Sequence, residues 1–201
     1  MRGRFITLEG IDGAGKSSFI GSIAQRLRLQ QQEVVVTREP GGTAAGETLR
    51  ALMLHTTLNP LTEALLMFGA RKEHLDQVVG PALARGAWVV CDRFTDATFA
   101  YQGAGRGVDL ERLAQLESWV QAGLEPDLSI LFDLPVALAR ARSAGARAPD
   151  RFEAEEEAFF ERVRQGYLAR AAQYPERFRV IDAARPMAGI EAQLAAIELC
   201  P

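Results

Sequence analysis

The sequence predicts an α/β fold: a three-layer α/β/α sandwich around a five-stranded parallel sheet, in a single domain that spans residues 1–201. Short apolar runs rich in β-branched residues alternate along the whole chain with amphipathic stretches of helical period. The first of these runs leads directly into a glycine-rich loop and then into an amphipathic helix. With 201 residues and 48% apolar composition, the chain can bury one substantial core.

Five apolar runs are predicted to be strands. The second of them is so uniformly apolar that we expect a strand covered on both faces. Because crossovers between parallel strands are right-handed, we expect the glycine loop at the centre of the sheet. The predicted strands are residues 5–8, 33–37, 87–92, 128–133 and 179–182.

Helices are predicted between the strands from apolar residues spaced three and four apart. Residues 94–107 are polar and end in three glycines, so we expect a short polar helix that runs into a mobile loop. The other predicted helices are residues 16–30, 46–54, 61–83, 110–122, 136–141, 153–173 and 189–199.

The loop after the first strand has the form G-x-x-x-x-G-K-S, which is typical of a phosphate-binding loop. Its glycines allow the backbone N–H groups to converge on one anion, and the following helix adds the positive end of its dipole. Lys16 would neutralise the β- and γ-phosphates of a nucleoside triphosphate, and the Ser17 hydroxyl would hold Mg²⁺. A turn with glycines for packing alone would need neither the lysine nor the hydroxyl.

Two further features lie at the expected carboxyl edge of the sheet, where ligands bind in open α/β folds. Asp92 ends the third predicted strand and would deliver a carboxylate to the same Mg²⁺, although it could instead cap the next element. The segment T-R-E-P-G-G-T at residues 37–43 forces a turn. A purely structural turn would not need the charges of Arg38 and Glu39.

Residues 142–151 contain three arginines among Gly, Ala and Pro. This composition predicts a flexible, cationic lid over about residues 141–152. A solvated basic loop is the alternative.

Composition excludes several classes of function. A net charge of −3 argues against binding of nucleic acid polymers, and no apolar run approaches the roughly 18 residues that span a bilayer, so we expect no membrane partner. The two cysteines lack metal-ligand spacing, which indicates a cytoplasmic protein with reduced thiols and a buried Cys91.

A GTPase needs a guanine-reading N-K-x-D sequence, but the single asparagine, Asn59, precedes a proline. A small kinase with two nucleotide sites remains.

Five motifs follow one another in the chain: E-G-I-D-G-A-G-K-S at residues 9–17, T-R-E-P-G-G-T at 37–43, D-R-F at 92–94, A-Y-Q-G at 100–103 and D-R-F-E at 150–153. In these motifs the chain resembles the bacterial thymidylate kinases over essentially its whole length. The resemblance implies a P-loop nucleoside monophosphate kinase fold and transfer of the γ-phosphoryl group of ATP to dTMP, giving dTDP and ADP for dTTP biosynthesis. It also implies Mg²⁺ as cofactor and a homodimer.

The resemblance assigns site residues at the matching positions. The expected donor-nucleotide residues are Gly10, Ile11, Asp12, Gly13, Ala14, Gly15, Lys16, Ser17, Ser18 and Arg142, with Ser17 and Asp92 on the metal. The expected acceptor residues are Asp12, Glu39, Pro40, Arg50, Met67, Phe68, Arg71, Arg93, Thr98, Tyr101 and Gln102. The expected catalytic residues are Asp12, Lys16, Arg93, Arg147 and Arg151.

Individual roles also follow from the resemblance. Arg93 would grip the 5′-phosphate of dTMP with Arg50 nearby, Asp12 would accept from the 3′-OH, and Tyr101 would crowd the ribose 2′ position. Arg71 would hydrogen-bond thymine O4.

Thr98 and Gln102 would read the pyrimidine edge. The family usually places a thymine-stacking Phe four residues before the arginine, where this chain has Met67, with Phe68 three residues before. Either side chain could contact the base, since both spacings share a helix face.

Some members of the family carry a catalytic arginine within the glycine loop, where this chain has Gly13. The chain resembles the members whose lid supplies that cation, which favours Arg151, then Arg147, with Arg142 as a third candidate. The alternatives are a kinase for another nucleoside monophosphate or for a deoxynucleoside, and a non-catalytic nucleotide-binding regulator. A panel of phosphoryl acceptors would separate them.

Overall fold

A computed structural model describes residues 2–143, 152 and 155–199 of the chain. Within this part of the chain, five parallel strands form one sheet in the order β2-β3-β1-β4-β5. The predicted three-layer α/β sandwich is confirmed, with β1 and its glycine loop at the centre. The strands are β1 (Phe5–Glu9), β2 (Val34–Arg38), β3 (Trp88–Asp92), β4 (Leu128–Asp133) and β5 (Phe178–Asp182).

Helices cover both faces of the sheet. The helices are α1 (Lys16–Leu29), α2 (Ala44–His55), α3 (Pro60–His74), α4 (Gly80–Ala84), α5 (Thr95–Thr98), α6 (Leu110–Gln121), α7 (Val136–Ser143), α8 (Glu157–Gln173) and α9 (Met187–Ala195). Two π-helical segments, Leu75–Val79 and Phe99–Gly105, continue α3 and α5. None of the helices in the described ranges is long and apolar enough to cross a bilayer.

Alternation along the strands builds a core on each face of the sheet. On β1, Ile6 and Leu8 pack in a cluster that includes Phe19 of α1, whereas Phe5 points to the opposite face. There Phe5 packs with Val79 and other residues of the helical run after α3. The glycine loop therefore starts from a strand that is anchored on both sides.

The expectation that the second strand is covered on both faces is wrong. β2 lies at one edge of the sheet, and Val36 is 45% exposed. A continuous β-branched run indicates a parallel strand, but whether that strand lies at the centre or the edge depends on its neighbours.

The mobile loop expected within residues 94–107 is also not observed. This stretch is helical through Gly105, and Gly103 and Gly105 allow close packing. A Cβ atom at Gly105 would lie 2.7 Å from Cε2 of Phe159, and one at Gly166 would lie 2.7 Å from Cβ of Ala104. The small residues thus let the segment approach α8 closely, which fixes the side chains that it carries.

The long helix predicted over residues 61–83 is continuous but not regular. Pro81 has no N–H, and its ring would crowd a carbonyl one turn earlier in a regular helix. The segment Leu75–Val79 widens to π-helix immediately before it, and Gly80 donates its N–H to the Leu75 carbonyl. A π-bulge before a proline is a common way to keep a helix unbroken.

A buried ionic cluster joins α5 to α8 and to the turn before β5. The fully buried carboxylate of Asp96 accepts hydrogen bonds from Arg170 (2.8 Å) and from Arg177 (2.7 and 2.8 Å). Burial alone would raise the pKa of Asp96, but the two guanidinium groups outweigh it and lower that pKa. Arg170 also donates to Glu117 at 3.2 Å.

Substitution of Asp96 should be strongly destabilising. Asp96→Asn leaves two buried guanidinium groups without their carboxylate, so we expect the free energy of unfolding to fall by about 3–5 kcal/mol. Urea titration followed by circular dichroism measures this change. Glu117→Gln, which alters a carboxylate that accepts from Arg170 and from the Thr95 hydroxyl but not from Arg177, is the matched control and should cost much less. Equal losses in the two variants would contradict the assignment.

Candidate active site

The loop between β1 and α1 curls through three glycines with positive φ: Gly10 at +133°, Gly13 at +81° and Gly15 at +90°. At Gly10 a Cβ atom would lie 2.6 Å from the Phe132 carbonyl oxygen, so only glycine fits. No side chain caps the N-terminus of α1. Its first N–H groups are therefore available to an anion in the loop.

Lys16 lies inside this curl and is 6% exposed. Its Nζ donates to the carbonyl oxygens of Gly10 (2.9 Å) and Ile11 (3.1 Å). Burial, reinforced by the charge of Arg93, lowers the pKa of Lys16 to about 8, although nearby carboxylates act in the opposite direction. A phosphate beside Nζ would favour the charged amine.

A large open cleft of about 720 Å³ lies over the glycine loop. It brings together the predicted donor-nucleotide residues from Asp12 to Ser18 with Asp92 and Arg142, and Arg142 donates to the Ala183 carbonyl at 2.9 Å. Gly10 and Ile11 contribute through the carbonyls that hold Lys16. The far wall, Arg185, Pro186 and Met187, was missed by the sequence reasoning because no motif marks it.

Two oxygen groups at this cleft suit a magnesium ion. Asp92 Oδ1 is buried and has no hydrogen-bond partner among the described residues, and Ser17, the second helical residue of α1, is exposed. Across the described residues, no group of three or more His, Cys, Asp or Glu side chains could hold a metal. A cation here would complete its coordination with substrate oxygens and water, as Mg²⁺ commonly does.

A second, much narrower cavity of about 90 Å³ adjoins the first. It brings together every predicted acceptor residue except Phe68. Its lining is Asp12, Glu39, Pro40, Arg50, Met53, Leu54, Met67, Arg71, Arg93, Phe94, Ala97, Thr98, Tyr101, Gln102 and Phe152. Asp12, Glu39, Arg50 and Arg93 line both cavities and so mark where they meet.

Arg93 occupies this junction in a strained backbone conformation, with φ of +69°. Its guanidinium donates to Asp12 Oδ1 at 2.6 Å, to the Gly10 carbonyl at 2.8 Å, and to the hydroxyls of Tyr167 (2.8 Å) and Tyr101 (3.1 Å). Burial lowers the pKa of Arg93, but the facing Asp12 carboxylate more than reverses this, so the group is permanently cationic.

Asp12 is the counter-charge on the glycine loop. Besides Arg93, it accepts a 2.8 Å hydrogen bond from the Tyr101 hydroxyl at Oδ2. Burial alone would raise the pKa of Asp12, but Arg93 and Lys16 outweigh it and lower the value to about 2. The carboxylate therefore stays ionised at neutral pH, with 31% of its side chain exposed.

The closed end of the narrow cavity presents a buried hydrogen-bond donor. Arg71 Nε donates to Glu39 Oε2 at 2.8 Å and its Nη2 to Thr98 Oγ1 at 2.9 Å. Its Nη1 is buried and has no partner among the described residues. The guanidinium lies over the rings of Phe68 (4.8 Å) and Phe94 (5.0 Å).

A hydrogen-bond acceptor on the lining of the same cavity comes from Gln102. Gln102 Nε2 donates to Glu63 Oε1 at 2.7 Å, and a carboxylate can only accept. The amide of Gln102 is thereby oriented with its Oε1 turned away from Glu63. Arg106 Nε also donates to that carboxylate, at 3.1 Å.

The structure separates Met67 from Phe68. Met67 lines the narrow cavity, whereas Phe68 is 2% exposed and packs with Ala64, Phe99 and Leu113. Adjacent helical residues point about 100° apart, so only one of the two can face the cavity.

Several residues of the site were missed by the sequence reasoning. Phe152 lies within a motif that was recognised, yet its own place on the cavity wall was not predicted. His74 lies one helical turn beyond Arg71, a spacing that could have been noticed. Tyr167 and Glu63 gave no signal. Arg147, Arg151 and most of the predicted lid lie outside the described residues.

Behind the glycine loop, Glu9 at the end of β1 is fully buried and accepts from the Phe94 N–H at 2.9 Å. Its other oxygen, Oε2, is buried and finds no partner within the described part of the chain. Burial, together with the nearby Asp96 charge, raises the pKa of Glu9 to about 8. This carboxyl is therefore mostly protonated at pH 7, where it supports the turn after β3.

A glycine loop at the head of α1, with a second cavity that meets it at a paired arginine and aspartate, defines the class of P-loop nucleoside monophosphate kinases. Comparison with known proteins agrees. The family model described as thymidylate kinase matches residues 8–194. The chain belongs to the thymidylate kinase family.

Individual relatives cover nearly the whole chain. It is 64% identical over 194 residues to the thymidylate kinase of Cupriavidus metallidurans, covering 96% of both chains. It is 59% identical over 198 residues to that of Nitrosomonas europaea, covering 98% of this chain and 92% of the relative. The crystal structure of thymidylate kinase from Ehrlichia chaffeensis superposes with a TM-score of 0.76 at 34% identity, over 90% of this chain and 93% of that one.

The buried Glu9 predicts a specific pH dependence of stability. The folded protein keeps a proton that unfolded Glu9 loses above about pH 4.5, so the free energy of unfolding should fall as pH rises from about 4.5 to 8. Glu9→Gln mimics the neutral form and should become progressively more stable than the wild type over that interval. Urea titrations at pH 5, 6, 7 and 8 measure the difference, with the exposed Glu47→Gln as control. A constant difference would contradict the shifted pKa.

Proposed function

We propose that the protein transfers the γ-phosphoryl group of ATP to dTMP, giving dTDP and ADP, and so supplies dTTP biosynthesis in the cytoplasm. The observation that carries this proposal is the pair of adjoining cavities that share Arg93 and Asp12. One cavity has the glycine loop and the cationic side chains that binding of a triphosphate requires. The other is lined by the Arg71 Nη1 donor and by the Gln102 amide, whose Oε1 can accept from a base.

In the donor cavity, Lys16 and the N–H groups at the start of α1 would bind the β- and γ-phosphates. Ser17 and Asp92 would hold Mg²⁺. When bound, the ion neutralises charge on the phosphate oxygens and so favours attack by another anion. The protein groups contribute positioning and charge, and no covalent enzyme intermediate is required.

At the junction, Arg93 would bind the 5′-phosphate of dTMP, with Arg50 beside it. An oxygen of that phosphate forms the new bond to the γ-phosphorus, while the bond from the γ-phosphorus to the bridging oxygen of ADP breaks. Since Arg93 is held on several sides, it would orient the acceptor rather than follow it. Asp12 would accept from the deoxyribose 3′-OH, and Tyr101 would exclude a 2′-OH.

At the closed end, the unpartnered Nη1 of Arg71 would donate to thymine O4, and Gln102 Oε1 would accept from N3–H. Cytosine presents the opposite pattern, a donor at position 4 and an acceptor at N3. Its binding would leave both buried protein groups unsatisfied, which disfavours it strongly. Thr98 supports Arg71, and Met67 would pack against the base.

The glycine loop holds no arginine, because Gly13 stands at that position. We therefore propose that Arg151 supplies the transition-state cation, with Arg147 as second candidate and Arg142 as an accessory group on the wall of the donor cavity. Such an arginine contributes about 10³- to 10⁵-fold in rate. Arg151→Ala should lower kcat with little change in either KM.

The protein is further proposed to act as a homodimer. Leu52, Leu65 and Trp119 are 44%, 50% and 82% exposed on α2, α3 and α6, and α3 packs against both other helices. Large apolar side chains on neighbouring elements are typical of an interface. Sedimentation velocity of the wild type and of Leu65→Glu tests this.

A panel of phosphoryl acceptors tests the proposed function. With Mg·ATP, the protein should phosphorylate dTMP most efficiently, dUMP less well, and dCMP, AMP, GMP and thymidine at least about 100-fold less, because a mismatched base leaves buried polar groups unpaired. ADP release coupled to each acceptor measures the rates, and Lys16→Ala, which should be inactive, is the control. Equal turnover of another acceptor would indicate a different kinase, and ATP hydrolysis without an acceptor would contradict the proposal.

A further inference from the structure

Beside Arg71, a row of polar side chains leads from Glu39 on the cavity wall to His74 and Thr37, and no step of the proposed mechanism uses His74 or Thr37. His74 is fully buried, with Nδ1 2.8 Å from Glu39 Oε1 and Nε2 2.7 Å from Thr37 Oγ1. The other oxygen of Glu39 accepts from Arg71 Nε at 2.8 Å. The row therefore connects the end of β2 to the arginine at the closed end of the cavity.

The direction of each hydrogen bond follows from the chemistry of the groups. The Glu39 carboxylate only accepts, so Nδ1 of His74 carries a proton and donates it. In the neutral ring, Nε2 then accepts from the Thr37 hydroxyl. With Arg71 donating to the second oxygen, Glu39 is held from both sides and cannot rotate without losing a buried hydrogen bond.

The backbone around His74 fits tightly. Gly42 has a φ of +77°, and a Cβ atom there would lie 2.7 Å from both Cδ2 of His74 and Oγ1 of Thr37. The turn after β2 thus passes directly over the contact between these two side chains. Arg71 and His74 are three residues apart on α3 and share one helix face, so both reach Glu39.

We propose that His74 is a positioning residue for recognition of the acceptor base. Through Glu39 it holds Arg71 so that Nη1 meets the oxygen at position 4 of the pyrimidine. Thr37 in turn holds the imidazole. This inference rests on the proposed contact between Arg71 and thymine, and it adds two residues that touch neither substrate.

Two substitutions at position 74 separate positioning from packing. The amide nitrogen of Asn lies close to the place of Nδ1, whereas that of Gln lies close to Nε2. His74→Gln should therefore release Glu39 and raise the KM for dTMP about tenfold, with kcat and the KM for ATP within about twofold of the wild type. His74→Asn keeps the donor to Glu39 and should recover most of this loss.

A double-mutant cycle with Arg71 tests whether the effect passes through that residue. In an Arg71→Gln background, which itself should raise the KM for dTMP, His74→Gln should add less than about twofold. Glu47→Gln is the matched control, since Glu47 accepts from the Gly42 N–H in the same turn but has no link to Arg71. Its KM for dTMP should stay unchanged.

The outcomes are distinguishable. Multiplicative effects of the Arg71 and His74 substitutions, or an equal loss in His74→Asn and His74→Gln, would overturn the positioning role while leaving the base contact intact. An unchanged KM for dTMP in Arg71→Gln would overturn the base contact and this inference with it. If His74→Gln does not fold, Thr37→Val provides the same test, with an expected rise in KM of about threefold that must also vanish in the Arg71→Gln background.

Discussion

The ion pair between Arg93 and Asp12 is the constraint on which the rest of the site depends. Arg93 directly follows β3. Its positive φ costs a non-glycine residue about 1–2 kcal/mol. Hydrogen bonds to Asp12, to the Gly10 carbonyl and to two tyrosine hydroxyls hold it in that conformation. Because Asp12 belongs to the glycine loop, one contact ties the loop to the end of β3. This pair lies, with Glu39 and Arg50, where the two cavities meet.

The surrounding polar groups are arranged so that buried charges are paired. A buried charge is costly unless it is paired, and several charged groups in and behind the cavity walls have a partner of opposite charge. Asp96 is surrounded by two arginines, Glu39 by Arg71 and His74, and Asp12 by Arg93. These pairs make the walls rigid before any ligand arrives. A rigid cavity wall that presents a few polar atoms without partners favours the ligand whose own groups can hydrogen-bond to those atoms.

Much of this was predictable from the sequence, because single residues carry the chemistry of a phosphate loop: Lys16 and the loop glycines leave few alternatives. The edge position of β2 was not predictable, since it depends on which strands lie beside it. The glycines before Gly107 were interpreted as a mobile loop, but they allow close packing of helices. Predicting this packing would have required knowing which helix lies against them. The spacing of His74 from Arg71 is visible in the sequence, but its contacts with Glu39 and Thr37 depend on the fold. The roles of Arg147 and Arg151 stay predictions.

The most direct measurement is the steady-state kinetics of Arg93→Ala, with KM determined separately for dTMP and for ATP in the presence of Mg²⁺. If Arg93 holds the acceptor phosphate at the junction, the KM for dTMP should rise by at least about tenfold more than the KM for ATP, because the lost charge-assisted bonds belong to one substrate. Equal increases in the two KM values, or none, would contradict the central place given to this arginine.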